Sequence, residues 1–402
     1  VLPAVLPAVL PAVSPAVSPA VSPALPHLLG LLPEQLVAVA HQAGAQLSDR
    51  QARRLVAHAL VQGHDDLELP GQPLSRACRA TLEGALDRRR LEVLERVEDP
   101  EDGSLRYLFR SPDGAVHEGV RIPLHTPGRF SVCLSSQVGC AMGCTFCATG
   151  RLGLSRNLET WEMVAAWRCV RDEAPGRVSG AVFMGQGEPL HNYEAVIGAA
   201  RLLSHPCGGR IAQEAITIST VGLVPQIRRY TAEGHRYRLI VSLSSAVPER
   251  RASLLPVAGR ASLEDLAAAL RAHHAATGQR VTVAWVLLGG VNTGPDEVAA
   301  LRALLGELPV RLNLIDVNDD RPEGQAYRRA TALERAALHD ALRDLGVPVV
   351  RRFSVGRAQG SACGMLAGKH GGSAAGDSAA GNSGAGGNGA GGSGAGGALE
   401  GQ

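Results

Sequence analysis

From residue 130 onward the chain alternates short β-branched runs with amphipathic helical stretches. That rhythm restricts it to a small set of folds. The strand-like runs are RFSVCLSS, GAVFM, AITIST, RLIVSLSS, VTVAWVLL and VRLNLID, and a helical pattern follows each of them. Strand–helix units repeated in series form a parallel sheet, because each helix carries the chain back across one face. Six units are too few to close an eight-stranded barrel. The expected fold class is therefore α/β, either a partial (β/α)6 barrel or a doubly wound sheet. In both, chemistry belongs at the carboxyl ends of the strands. The unusual residues of this chain fall there: the cysteines after the first strand, GQGEPL after the second, Ser219-Thr220 at the third, Ser242 to Ser245 at the fourth and Asn318 after the sixth.

Local signals support the helices. Ser262 with Asp265, and Thr331 with Glu334, have the spacing of capping boxes. Leu338, Leu342 and Leu345 continue an apolar stripe, Gly346 suits the end of that helix, and Pro348 prevents continuation. The spacing in QARRLVAHALVQ and RACRATLEGALDRRRLEVL predicts a small helical accessory domain over 28–110, with helix up to about residue 90. Leu105–Phe109 and Val116–Ile122 flank Pro112, Asp113 and Gly114 and predict a β-hairpin.

The two ends differ from the rest. Residues 1–27 repeat VLPA and VSPA, and proline at every fourth position forbids a regular helix. With no basic segment and no continuous apolar run, this leader does not read as a signal peptide. Residues 371–402 are almost entirely Gly, Ala, Ser and Asn, too poor in apolar surface to order themselves. Both ends are expected to be disordered, leaving 111–370 as the main domain. No apolar run reaches the ~18 residues of a membrane span, so a cytoplasmic monomer away from membranes is expected. The net charge of +2 carries no information about partners, so nucleic-acid binding needs a local basic patch.

The cysteines carry the chemistry. Cys140, Cys144 and Cys147 fall within eight residues, whereas Cys78, Cys133, Cys169, Cys207 and Cys363 are scattered. Thiolates this close, on a loop loosened by Gly139, Gly143 and Gly150, suit a soft metal or an iron–sulfur cluster. A structural zinc site wants four ligands. No fourth cysteine and no histidine stands nearby at that spacing, and the histidines of the chain form no ligand-spaced pair. His273 and His274 are adjacent and expected at the surface. Three thiolates on a four-iron cluster leave one iron open to substrate.

The pattern CxxxCxxC with Phe146 before the last cysteine resembles the radical S-adenosylmethionine (SAM) superfamily. The longer string CLSSQVGCAMGCTFCATGRLGLSRNL resembles the RlmN/Cfr family of RNA methyltransferases. MGQGEPLHN, ITISTVGLVP, LIVSLSS, LLPV, LLGGVN and SACGMLAG follow in that family's order, over about residues 115–368. The resemblance implies a radical SAM barrel with two cofactors, a 4Fe-4S cluster on Cys140, Cys144 and Cys147, and SAM on the open iron. It implies SAM contacts from Gly187 and Glu188, Ser219, Ser242, Leu243 and Ser244, and Asn318. Cys363, among the small residues Gly360, Ser361, Ala362 and Gly364, matches the methyl carrier. Cys133 matches the cysteine that later forms a transient disulfide with it, and Glu118 the base that removes the ring proton. The implied partners are an RNA substrate, ribosomal or transfer RNA, and an electron donor such as flavodoxin or ferredoxin.

The proline-rich leader and the glycine-rich tail are foreign to that family, and the chain also departs from it within the matched region. Ser244 stands where His or Asn is usual, Asp316-Val317-Asn318-Asp319 replaces Pro-Trp-Asn-Pro, and two residues are added between Glu118 and Cys133. Cys78, Cys169 and Cys207 match nothing and read as core or incidental thiols. Arg351, Arg352 and Arg357 read either as a grip on RNA phosphates or as a solvated strand face. Aromatics make up only 3% of the chain, which argues against extensive base stacking. The function implied is methylation of adenine C2 in 23S ribosomal RNA, transfer RNA or both. The alternatives are a C8 or other RNA methylase and a non-catalytic iron–sulfur RNA-binding protein.

Overall fold

A computed structural model of the chain describes residues 25–366, apart from 258–260, 320, 323–324, 353–355, 358–359 and 361. Nearly all of the proline-rich leader, the glycine-rich tail and Ser361 lie outside the described residues. Among the described residues, no helix is long and apolar enough to cross a membrane.

Three helices come first: α1 (Pro33–Gln42), α2 (Asp49–Leu60) and α3 (Arg76–Ala85). Ser48 caps α2 by accepting from the Gln51 backbone, and Ser75 caps α3 through Cys78. Their apolar faces meet through Leu36, Leu55, Val56 and Leu82, all buried. The helical spacing expected up to residue 90 stops at Ala85, and Glu92–Glu98 is strand β1. Leu91-Glu92-Val93-Leu94 fits a period of 2 as well as one of 3.6. Pairing with the next strand, through a bulge between Val93 and Glu95, decides the outcome.

The predicted hairpin is present as β2 (Leu105–Arg110) and β3 (Val116–Pro123), and β4 (Arg129–Leu134) continues the antiparallel ladder. A ribbon of β5 (Gln137–Gly139) and β6 (Leu154–Asn157) stands apart, with α4 (Ala148–Arg151) between them in sequence and α5 (Thr160–Glu173) after them. The parallel part then runs from β4 through β7 (Arg177–Phe183), β8 (Ile216–Thr220), β9 (Arg238–Ser242), β10 (Val281–Leu287), β11 (Val310–Asp316) and β12 (Val349–Arg352). Strands neighbour one another in chain order, giving one ten-stranded sheet with β1 and β12 at its edges. This is the α/β partial barrel expected, extended by β12 beyond the six strands read from sequence.

The connecting helices are α6 (Tyr193–Ser204), α7 (Val224–Ala232), α8 (Pro248–Leu254), α9 (Leu263–Thr277), α10 (Pro295–Leu305) and α11 (Ala332–Arg343). Ser262 and Thr331 cap α9 and α11 as the spacing predicts, accepting from the backbones of Asp265 at 3.0 Å and Glu334 at 3.2 Å. His273 is buried, contrary to expectation, with Nδ1 3.0 Å from Thr231 Oγ1 of α7. It lies three residues beyond Leu270 and continues the stripe that α9 packs inward.

The β5–β6 ribbon fixes the start of the cysteine loop. Gly139 has φ +77°, and a Cβ there would stand 1.9 Å from the Gly153 carbonyl oxygen. Gly143 has φ +65° but open space around it. In chemical denaturation, Gly139→Ala is expected to cost more than about 3 kcal/mol. Gly143→Ala is expected to cost about 1–2 kcal/mol, the conformational cost alone.

Candidate active site at the carboxyl ends of the strands

Two loops cross where β4 and β7 end, and short polar contacts lock them. Ser135 Oγ donates to the Glu118 carbonyl at 2.6 Å and accepts from the Gln186 amide at 2.9 Å. The Ser136 amide donates to the Gln186 carbonyl at 2.7 Å, and the Glu188 amide donates to Gln137 Oε1 at 2.9 Å. Asn192 Nδ2 donates to the carbonyls of Ser136 and Leu158. The approach is close enough to require glycine. Gly187 has φ +98°, and a Cβ there would lie 2.6 Å from that of Gln137.

Beyond this lattice lies a cavity with about 930 Å³ of empty space, part of it open to solvent. That is the size of a cofactor site. Cys140, Cys144, Cys147, Gly187, Glu188, Ser219, Ser242, Asn318 and Cys363 all line it. Burial pushes the Cys140 thiol up to about 12, and it also raises Cys144 and Cys147. Such thiols ionise only beside a positive centre. Among the described residues only His58, His64 and Asp66 bring three metal-ligand atoms within 4.8 Å of one another. At least one pair of the three sulfurs therefore lies more than 4.8 Å apart, wider than the ~4 Å that zinc–sulfur bonds of about 2.3 Å allow. A polynuclear cluster fits the donor set and the spacing.

Glu188 is fully buried. Its oxygens accept from the Leu190 amide at 3.0 Å and the Val221 amide at 2.8 Å. Burial nevertheless outweighs these donors and pushes its carboxyl up to about 7. A buried carboxylate facing a cavity suits a cationic ligand group. Asn318 Nδ2 donates to the Cys363 carbonyl at 3.3 Å, and its Oδ1 accepts from Arg329 at 2.6 Å. Leu243 and Ser244 are buried behind the cavity wall instead of lining it. Ser244 holds φ +55°, and its Oγ has no hydrogen-bond partner among the described residues.

The Cys363 loop rests on the cysteine loop, with the Ala148 amide donating to the Gly364 carbonyl at 2.7 Å. Cys133 sits in β4 opposite Val120 and packs with Leu366. Burial pushes its thiol up to about 12, the nearby Cys363 adds to this, and Arg352 opposes it. All eight cysteines are free thiols. Glu118 lies two residues from Val120, so it shares the face of Cys133. It is buried rather than solvated, with Oε1 3.6 Å from Arg106 Nη1.

Sequence reasoning missed the side chains that hold these loops. Arg251 is buried and donates to the carbonyls of Ser242, Leu243 and Val221. Asn292, within the LLGGVN motif, donates to the Ser244 carbonyl at 2.6 Å and to Val286. Both stood among the quoted motifs or between them, but a donor to backbone carbonyls leaves no spacing signature. Arg351 is paired with Asp316 at 2.8 Å, and Arg352 points at the Met184 sulfur.

A strand-end cavity with three cysteines on the first loop is the architecture of a radical SAM enzyme, and the radical SAM superfamily model matches residues 134–305. A crystal structure of a radical SAM methyltransferase from Sphaerobacter thermophilus superposes with a TM-score of 0.77 at 34% identity, covering 86% of this chain and 100% of that one. A "Probable RNA methyltransferase" of Anaeromyxobacter sp. is 46% identical, over 85% of this chain and 99% of the relative. The "Dual-specificity RNA methyltransferase RlmN" of Syntrophobacter fumaroxidans is 39% identical, over 74% of this chain and 86% of that protein. The chain belongs to the radical SAM RNA methyltransferases of the RlmN type.

The Glu188 carboxyl gives a pH signature. Its pKa is higher folded, about 7, than the ordinary 4.5. The stability it contributes is complete below about pH 4.5 and is lost as pH rises through about 7. In SAM-free protein the unfolding free energy is expected to fall over that window by up to about 3 kcal/mol from this group. Glu188→Gln should remove that part of the slope in denaturant titrations across pH.

Proposed function

We propose that this protein methylates C2 of an adenine in 23S ribosomal RNA, transfer RNA or both, through a methyl group carried on Cys363. The observation that carries this reading is the seating of the Cys363 loop on the cysteine loop, in one cavity with Glu188 and Asn318. Binding alone needs no thiol there. Cys140, Cys144 and Cys147 would hold a 4Fe-4S cluster. When bound, the cluster with SAM supplies methyl donation and hydrogen abstraction at an unactivated carbon, chemistry no side chain provides.

The chain's own residues then bind, orient and move protons. The Glu188 carboxylate pairs the SAM ammonium, with Gly187 leaving room for close backbone approach. Ser219, Ser242 and Asn318 offer polar contacts along the cavity, while Leu243 and Ser244 support the wall from behind. Glu118 takes the ring proton. The Cys133 thiolate attacks the Cys363 sulfur and forms a sulfur–sulfur bond. The electron pair of the broken carbon–sulfur bond passes to the carbon on the base, which takes up a proton and becomes the methyl group. An external dithiol returns the disulfide to two thiols. Burial keeps Cys133 protonated, and Arg352 is the cation placed to favour its thiolate. An external one-electron donor of the flavodoxin or ferredoxin kind reduces the cluster. The helices of the accessory region, 28–110, and Arg357 with its neighbours would engage the RNA, bound by a monomer whose barrel spans 111–370.

Mass spectrometry of the purified protein and of total RNA tests this. Wild type is expected to carry a methyl group on Cys363 and to leave a 2-methyladenosine that vanishes with Cys363→Ala. A C8 product would move the target carbon. An unmodified Cys363 with unchanged RNA, in cluster-loaded protein, would overturn the methyl-carrier reading. Glu118→Gln is expected to slow RNA methylation about 100- to 10,000-fold while leaving Cys363 methylation intact.

A further inference from the structure

The sequence offers no histidine pair at ligand spacing, but the fold makes one. His58, in the last turn of α2, and His64 and Asp66, on the loop that follows, bring one ligand atom each within 4.8 Å of one another. We propose that they form a second metal site, for a divalent ion of the zinc class, separate from the strand-end cavity, which none of the three lines.

The His58 ring supplies the main argument. It is buried, and both of its nitrogens face oxygen acceptors, Nδ1 to Gln62 Oε1 at 2.8 Å and Nε2 to Asp66 Oδ1 at 2.9 Å. Satisfying both takes a positive charge at Nε2, from a proton or from a metal ion, because a neutral imidazole has only one N–H. A cation between Nε2 and the carboxylate satisfies both sides. Nδ1–H then donates to Gln62, the second contact that orients most metal-bound histidines. The ionic partner of Asp66 among the described residues is His58.

The remaining ligands are held in place. The His64 amide donates to the His58 carbonyl at 3.1 Å, which folds the loop back over the helix end. Asp66 Oδ1 also accepts from the Glu68 amide at 2.9 Å, which fixes the carboxylate. The His64 ring lies 4.7 Å from that of His58 and is exposed, so it can turn to bring a nitrogen onto the ion. Two imidazole nitrogens and one carboxylate oxygen are a zinc donor set, and water reaches the fourth position from solvent. Such an ion would pin the loop after α2 to the helix.

Zinc titration of cluster-loaded protein against a chromophoric chelator tests the site, since the cluster occupies Cys140, Cys144 and Cys147. Wild type is expected to take up one equivalent. His64→Ala and Asp66→Asn, both at exposed positions, should weaken it by more than about 100-fold, because removing a direct ligand exceeds the usual cost of losing a second contact. Zinc should raise the Tm of wild type and not of His64→Ala. Equal affinity in all three proteins would assign the zinc to thiols and overturn the proposal, as would no uptake by wild type. Iron content and the methylation state of Cys363, neither of which involves the RNA, should be unchanged in both variants, which separates this site from the methylation reading.

Discussion

The active site depends on the contact between the loops that leave β4 and β7. One loop holds the cysteines and the other holds Gly187 and Glu188, so their relative position fixes how a cluster would sit against the buried Glu188 carboxyl. Backbone and short side chains make that contact. The Gln186 carbonyl accepts from the Ser136 amide, Ser135 Oγ accepts from the Gln186 amide, and Gln137 Oε1 accepts from the Glu188 amide. Buried groups of this kind are costly to leave unpaired, so the lattice holds together or fails as a unit. Gly187 is there because the loops approach too closely for a side chain.

Around this contact the protein buries more potential negative charge than it balances. Three thiols and Glu188 line the cavity, and burial raises the pKa of each. Arg251 is a buried cation nearby, but its donors are committed to the carbonyls of the strand-end loops. The site is thus unstable toward ionisation until positive groups enter. This is an electrostatic form of preorganisation, in which the cost of burial is offset when the cofactors bind.

Much of this was legible in the sequence, for physical reasons. Parallel strands buried on both faces write long apolar runs, so β4 and β7 to β11 could be read directly. β12 and β1 could not, because edge strands are short and charged: VVRR and EVLERVE carry little apolar signal. The cysteines are close in sequence because one loop presents them. Cys133 and Cys363 are scattered, and the nearness of the two depends on a distant loop, which only family motifs hinted at. His273 was misread because a histidine that extends an apolar stripe resembles any other polar residue at the helix surface. Leu243 and Ser244 are buried beside Ser242, which lines the cavity, and Asn292 holds Ser244 in its left-handed turn.

The antiparallel extension has a consequence for how the family can vary. Glu118 reaches the interior only because β3 pairs with β4 in a register that sets Val120 against Cys133. Side chains along a strand alternate, so the two faces behave as odd and even positions. Within β3, an even number of residues added between Glu118 and Val120 keeps Glu118 on the face of Cys133, while an odd number turns it to the opposite face.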